Sequence, residues 1–280
     1  MFKKLLVCTD GSPYGDVACQ YGFLMATTLK AELAGLHVSD IRVIEGPLLA
    51  DISGALGAAG YYAGWPQFKN LMEAKGDAIR KVFQDRAKSA GMEASFTIEV
   101  GHPLHVILGQ ESNADLIILG QRGENEQFGH ELIGSIADRV TRLATKSCLV
   151  TPGRYAPVKS IMVACDGSPI SEKVTAQAIM LAKALNASLT VVTVADKMTT
   201  EMTRAIATTA EQSCKAEGIC PKVMTLKGQA GEAILDTLAQ EKNGLIVMGA
   251  HTHTRIRRWF IGCTTQRVLA DSGIPALLVR

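Results

Sequence analysis

The stretch Lys3-Lys4-Leu5-Leu6-Val7-Cys8-Thr9-Asp10-Gly11-Ser12-Pro13 decides the fold, because it returns as Lys159-Ser160-Ile161-Met162-Val163-Ala164-Cys165-Asp166-Gly167-Ser168-Pro169. Each is a short apolar run that stops at Asp-Gly-Ser-Pro. The match extends further: residues 3–40 align without a gap on residues 159–196, with 12 of 38 positions identical. It resumes late in each half, where Ile133-Gly134-Ser135-Ile136-Ala137-Asp138-Arg139-Val140 aligns with Ile261-Gly262-Cys263-Thr264-Thr265-Gln266-Arg267-Val268. Self-similarity on this scale means one unit used twice. The first copy spans 1–153 and the second 157–280, with Pro152, Gly153 and Pro157 marking the joint.

Within each copy, apolar runs alternate with segments of helical period. Lys4–Thr9, Leu33–Val38, Ser95–Val100, Asp115–Gly120 and Ser147–Val150 read as strands, and the second copy repeats them near 159–165, 188–194, 221–227, 244–249 and 275–279. Their continuous apolar character suits a sheet covered on both faces. Between them, Ile79, Val82, Phe83 and Ala87 mark one face of a helix over about 72–90. Strand and helix alternating five times per copy predict an α/β protein: two tandem, doubly wound, five-stranded parallel-sheet domains. The first copy carries an insert, roughly Ile41–Leu71, rich in glycine and carrying Tyr61, Tyr62, Trp65 and Phe68. Such a loop packs on its own domain, on a second subunit or on a client protein, or lids a ligand.

Composition narrows the function. The chain has 280 residues, 47% hydrophobic and 20% charged, which excludes a disordered or fibrous protein. A net charge of +2 gives no electrostatic footprint for nucleic acid. The apolar run after Lys3-Lys4 ends at Cys8, too short for a signal-peptide core, and no run approaches the ~18 residues of a membrane span. A cytoplasmic protein is expected, with its seven scattered cysteines as reduced thiols. His102 and His105 have no acidic or cysteine partner at metal-ligand spacing, so no metal site is assigned. There is no Gly-x4-Gly-Lys-[Ser/Thr] loop, no Gly-x-Ser-x-Gly elbow and no Cys/His nucleophile pair.

Ligands of doubly wound sheets bind at the carboxyl ends of the strands, where strand order reverses. The loop after the first strand holds Asp10. Ser12 there suits a helix N-cap and Pro13 a first helical position, whereas Asp10 either accepts from a ligand amino group or braces the turn. After the fourth strand come Gly120-Gln121-Arg122-Gly123, ten residues, and Gly134-Ser135 opening a helix. Glycines let backbone N–H groups approach phosphate oxygens, and a helix N-terminus adds unpaired donors.

The strand-end Asp, the Gly-x2-Gly after strand four, the later Gly-Ser and the β/α order together resemble the universal stress protein family, here as a tandem of two copies. The resemblance implies an ATP- or AMP-binding α/β domain. It assigns Asp10 and the backbone near Val38 to adenine, Gly120, Arg122 and Gly123 to ribose and phosphates, and Gly134, Ser135 and Ile136 to phosphates. A weaker second site would comprise Asp166, Val194, Gly249 and Gly262. The second copy departs from the pattern at Thr252, where the second glycine belongs, and at Cys263, where serine belongs. In the first copy the acids Glu124, Glu126 and Glu131 oppose a polyphosphate unless a divalent cation such as Mg2+ intervenes. The resemblance further implies pairing of the halves through their last strands, an internal pseudo-dimer, and pairing of whole chains. The reading is a nucleotide-binding regulator of the stress response that acts on a client protein. The alternatives are a slow ATPase or self-phosphorylating enzyme, with Ser135 the nearest hydroxyl, and an interaction scaffold with degenerate pockets.

Overall fold

The computed structural model describes residues 2–40, 58–124, 133–196, 198–242, 244–250 and 262–280, leaving aside the side chains of 58–68. The first copy runs β1 (Lys4–Cys8), α1 (Pro13–Leu29), β2 (Glu32–Asp40), α2 (Ala58–Ser89), β3 (Ala94–Gly101), α3 (Pro103–Gly109), a 3-10 turn (Glu111–Asn113), β4 (Leu116–Gly120), α4 (Ser135–Leu143) and β5 (Ser147–Thr151). The second repeats it as β6 (Ser160–Ala164), α5 (Ser171–Leu185), β7 (Ser188–Ala195), α6 (Thr200–Ala216), β8 (Lys222–Lys227), α7 (Ala230–Glu241), β9 (Leu245–Gly249), α8 (Cys263–Asp271) and β10 (Ala276–Val279).

All ten strands form one sheet, in the order β3-β2-β1-β4-β5-β10-β9-β6-β7-β8. Pairing is parallel within each copy and antiparallel only between β5 and β10, where Val150 faces Ala276 and Leu149 faces Leu277. The halves therefore join through their last strands. Cys148, Leu149, Val150, Ala276, Leu277 and Leu278 are all buried at this seam, and full burial of each larger aliphatic side chain contributes roughly 1.5–3 kcal/mol. Two polar contacts reinforce it reciprocally. The Gln121 amide donates to the carbonyls of Leu269 and Ala270 at the end of α8, and the Arg280 guanidinium donates to the Thr141 carbonyl in the last turn of α4. Each copy thus supplies a donor to unpaired carbonyls closing the other copy's last helix.

Two apolar layers cover the sheet. One holds α1, α2, α5 and α6, the other α3, α4, α7 and α8. The joint between copies lies against α1: the Tyr21 hydroxyl donates to the Ala156 carbonyl at 2.9 Å, and its ring meets Tyr155 at 4.9 Å. At the other end of α1, Ser12 caps the helix through the Gly15 N–H at 3.1 Å and Pro13 takes the first position, as the sequence suggests.

Two features differ from expectation. Helix α2 begins at Ala58, inside the glycine-rich insert, and residues 41–57 lie outside the described residues. Extending a helix already held by its packed end needs no new nucleus, which carries the backbone through Gly60, Gly64 and Pro66. Val82 is 50% exposed: the buried stripe of α2 runs through Gly76, Ile79, Phe83 and Ala87, and Val82 falls beside it.

The copies solve the same packing problem with different volumes. Ile79 of α2 presses on Gly11, and Ile206 of α6 presses on Gly167 in the matching place. From that register, His37 and Gly76 in the first copy correspond to Thr193 and Thr203 in the second. A Cβ on Gly76 would lie 3.5 Å from the His37 ring and 3.2 Å from Ile98. A large ring under a bare backbone in one copy is matched by two threonines, both buried, in the other. Gly35 beneath Phe83 and Phe96 follows the same rule, with Val191, Ala210 and Val223 in the second copy.

Volume exchange of this kind makes neighbouring positions energetically coupled. His37→Thr alone opens a void and should destabilise the protein by roughly 1–3 kcal/mol, while Gly76→Thr alone crowds the ring. The double variant should recover at least ~1 kcal/mol relative to the sum of the singles. Urea unfolding of the four proteins measures this; additive effects would show that the two sites do not share space.

Candidate functional site

The strand order places the reversal between β1 and β4, and a cleft of about 510 Å³ opens there. Asp10, Gly11, Ser12 and Pro13 line one side, Gly123 and Glu124 another, and Lys75, Ala78 and Ile79 of α2 form the wall. Gly11 adopts φ +81°, the left-handed conformation that lets the chain reverse from β1 into α1.

Asp10 holds the floor together. Its Oδ1 accepts from the Ser12 N–H at 3.0 Å and its Oδ2 from the Glu124 N–H at 2.7 Å, tying the loop after β4 to the loop after β1. Of the two roles open to Asp10, the structure realises the brace, and a ligand donor would share these oxygens. Gly123 sits so close that a Cβ there would lie 2.9 Å from Asp10 Oδ2. Lys75 forms an ion pair with Glu124 across the mouth of the cleft.

The remaining residues singled out in the first copy fall into two groups. Gly120, Arg122 and Gly134 are brought together: the Gly134 N–H donates to the Gln121 carbonyl at 2.9 Å, and a Cβ on Gly134 would come within 3.2 Å of the Arg122 Cα. Gly120 packs against Tyr14, where a Cβ would lie 2.8 Å away. Gly134 is the N-cap of α4 with no side-chain cap, and Ser135 is exposed at the first helical position. Val38 and Ile136 pack half-buried in the layer on the opposite sheet face from α2. The cleft thus gathers Asp10 and Gly123 from that set and leaves Val38, Gly120, Arg122, Gly134, Ser135 and Ile136 off its lining.

Lys75 and Ala78 were not legible as site residues. The available signal was their place one turn before, or next to, Ile79 on the face that meets the Gly11 turn.

In the second copy, Asp166 Oδ1 accepts from the Ser168 N–H and the Ser171 hydroxyl, both at 2.9 Å, so the same loop is braced by a different set. Val194 is buried, Gly249 lies against Ile170, and Gly262 is the N-cap of α8. Residues 251–261, with Thr252 and the three arginines, lie outside the described residues, as do 125–132 in the first copy.

Beneath the first cleft lies His37, buried, with Nδ1 3.0 Å from the Thr9 carbonyl. Burial pushes its pKa down, and Lys75 adds to that, against the opposing pull of the Thr9 carbonyl, Asp10 and Glu124. The cysteines are free. Burial raises the thiols of Cys19 and Cys148 to about 12 and that of Cys165 to about 11, so they pack as small apolar groups.

Fold and cleft define a doubly wound α/β protein of two repeated units with a crevice at the strand reversal of the first. The universal stress protein family matches residues 1–152 and 157–280. The chain is 30% identical to universal stress protein Slr1230 of Synechocystis sp. across 99% of its own length and 100% of that protein. It is 29% identical over 160 residues to universal stress protein MJ0577 of Methanocaldococcus jannaschii, covering 54% of this chain and 94% of the other. The crystal structure of a universal stress protein from Archaeoglobus fulgidus superposes with a TM-score of 0.76 at 20% identity, covering 99% of this chain and 96% of that one. The chain belongs to the universal stress protein family, as a tandem of two of its domains. Among the described residues, no helix is long and apolar enough to cross a membrane.

The His37 environment has a measurable consequence. Its folded-state pKa lies below the ordinary 6.5, so the unfolded chain binds the proton more readily, and stability present above that value is lost as pH falls below it. The urea midpoint should drop more steeply between pH 7 and pH 5 for the natural protein than for His37→Thr/Gly76→Thr. Equal slopes would mean that another group carries the titration.

Proposed function

We propose that the protein binds ATP or AMP in the first-copy cleft and that nucleotide state controls its conformation or its affinity for a client protein. The observation carrying this reading is the cleft at the β1/β4 reversal. Two braced loops and a glycine facing the Asp10 carboxylate line it, and the N-terminus of α4 at Gly134, which has no side-chain cap, stands beside the loop after β4 through the Gly134 N–H to Gln121 carbonyl bond. Those are the elements from which α/β sheets build phosphate sites. Family membership supports the same reading. The first copy is the stronger site, and Asp166, Val194, Gly249 and Gly262 form the weaker one, because Cys263 offers only a weak donor where the first copy has Ser135.

Mg2+ would arrive with the phosphates. Among the described residues no three or more His, Cys, Asp or Glu side chains gather as a metal site.

Calorimetric titration of nucleotide-stripped protein with Mg-ATP should give about one tight site per chain. Gly123→Val, which drives a side chain onto the Asp10 carboxylate, should weaken it at least ~100-fold, whereas Gly262→Val should leave it. No heat at millimolar ATP, confirmed by equilibrium dialysis, rejects nucleotide binding. Loss of the tight site with Gly262→Val alone reverses the ranking of the copies.

A further inference from the structure

The wall of the first cleft carries a cation at a position where the second copy has a methionine. Lys75 projects from α2 among the lining residues and pairs with Glu124. In the register set by Ile79 and Ile206, Lys75 corresponds to Met202, which is 56% exposed on α6. Methionine offers a phosphate nothing, whereas an ammonium offers charge and three donors.

The Lys75–Glu124 pair is built to open. Both side chains are solvated, 41% and 58% exposed, and such pairs contribute only about 0–1 kcal/mol. Glu124 is anchored through its backbone, whose N–H is held by Asp10. Its side chain can therefore leave Lys75 without disturbing the loop. Lys75, in turn, belongs to a helix tied to α1 by the Arg86–Asp16 ion pair and packed on Gly11 through Ile79. The helix stays in place while the ammonium changes partner.

We propose that Lys75 is a specificity-determining residue of the first cleft, exchanging Glu124 for an anionic phosphoryl group of the bound nucleotide. This rests on the nucleotide reading given above. The carboxylate of Glu124 engages the ammonium in the structure, and a nucleoside without phosphate leaves that pair intact. A nucleotide whose phosphates reach Lys75 displaces the carboxylate into solvent. The exchange makes the first copy select phosphorylated nucleotides over nucleosides. No bond is made or broken; one ion pair replaces another.

Calorimetry with Mg-ATP and adenosine on the full-length protein tests this. Lys75→Met, which installs the residue of the second copy, should weaken ATP about tenfold and leave adenosine within roughly twofold. Lys75→Arg should retain most of the ATP affinity, separating loss of charge from loss of fold. Glu124→Gln removes the competitor and should tighten ATP by roughly threefold. An unchanged ratio of ATP to adenosine affinity in Lys75→Met, with binding of both intact, overturns the role of Lys75 and leaves nucleotide binding standing. Weaker ATP binding by Glu124→Gln also overturns it, because Glu124 would then be holding the ligand or its metal ion. Natural protein that binds neither compound overturns the nucleotide reading and this proposal together.

Discussion

The antiparallel pairing of β5 with β10 is the constraint on which the rest of the molecule depends. It fuses two parallel five-stranded sheets into one and turns the copies head to head. Strands that run parallel within each copy therefore point in opposite directions across the seam, and the β1/β4 and β6/β9 strand reversals lie at opposite strand ends of the sheet. The loops at one reversal therefore cannot join those at the other. Each copy has to build its site from its own residues, and each is free to diverge. What the copies share is the seam itself, with Gln121 and Arg280 each closing the other copy's last helix.

Divergence is visible wherever the frame leaves room. The Gly11 and Gly167 turns, each with an isoleucine pressed on it, are the same in both copies. Around them His37 and Gly76 replace Thr193 and Thr203, and Lys75 replaces Met202. Close packing demands that the first exchange be made in pairs, since one methylene too many or too few is felt in a filled interior. No such demand governs the second, at the solvated rim. Core positions change in a coordinated way that preserves the fold, and rim positions change independently in a way that alters chemistry.

This division explains what could be read from the chain alone. The tandem repeat, the alternation of strand and helix and the strand-end loops were legible because apolar runs and the Asp-Gly-Ser-Pro turn are local signals. The braced role of Asp10 was legible only as one of two options, since its second partner, the Glu124 backbone, lies far along the chain. Lys75 carried no local signal at all. A lysine on a helix reads as a solvated surface residue until the helix is known to wall a cleft. The early start of α2 was hidden because Gly60, Gly64 and Pro66 argue for a loop by propensity, whereas helix propagation from a packed segment is a tertiary effect.

The most direct test of this account is a crystal structure of the protein grown with Mg-ATP. The account predicts nucleotide in the first-copy cleft, between the Asp10 loop, Gly123 and α2, with the Lys75 ammonium on a phosphate and Glu124 turned away. Nucleotide bound over Asp166 and Gly262 with the first cleft empty, or Lys75 still paired with Glu124 beside a bound triphosphate, would contradict it.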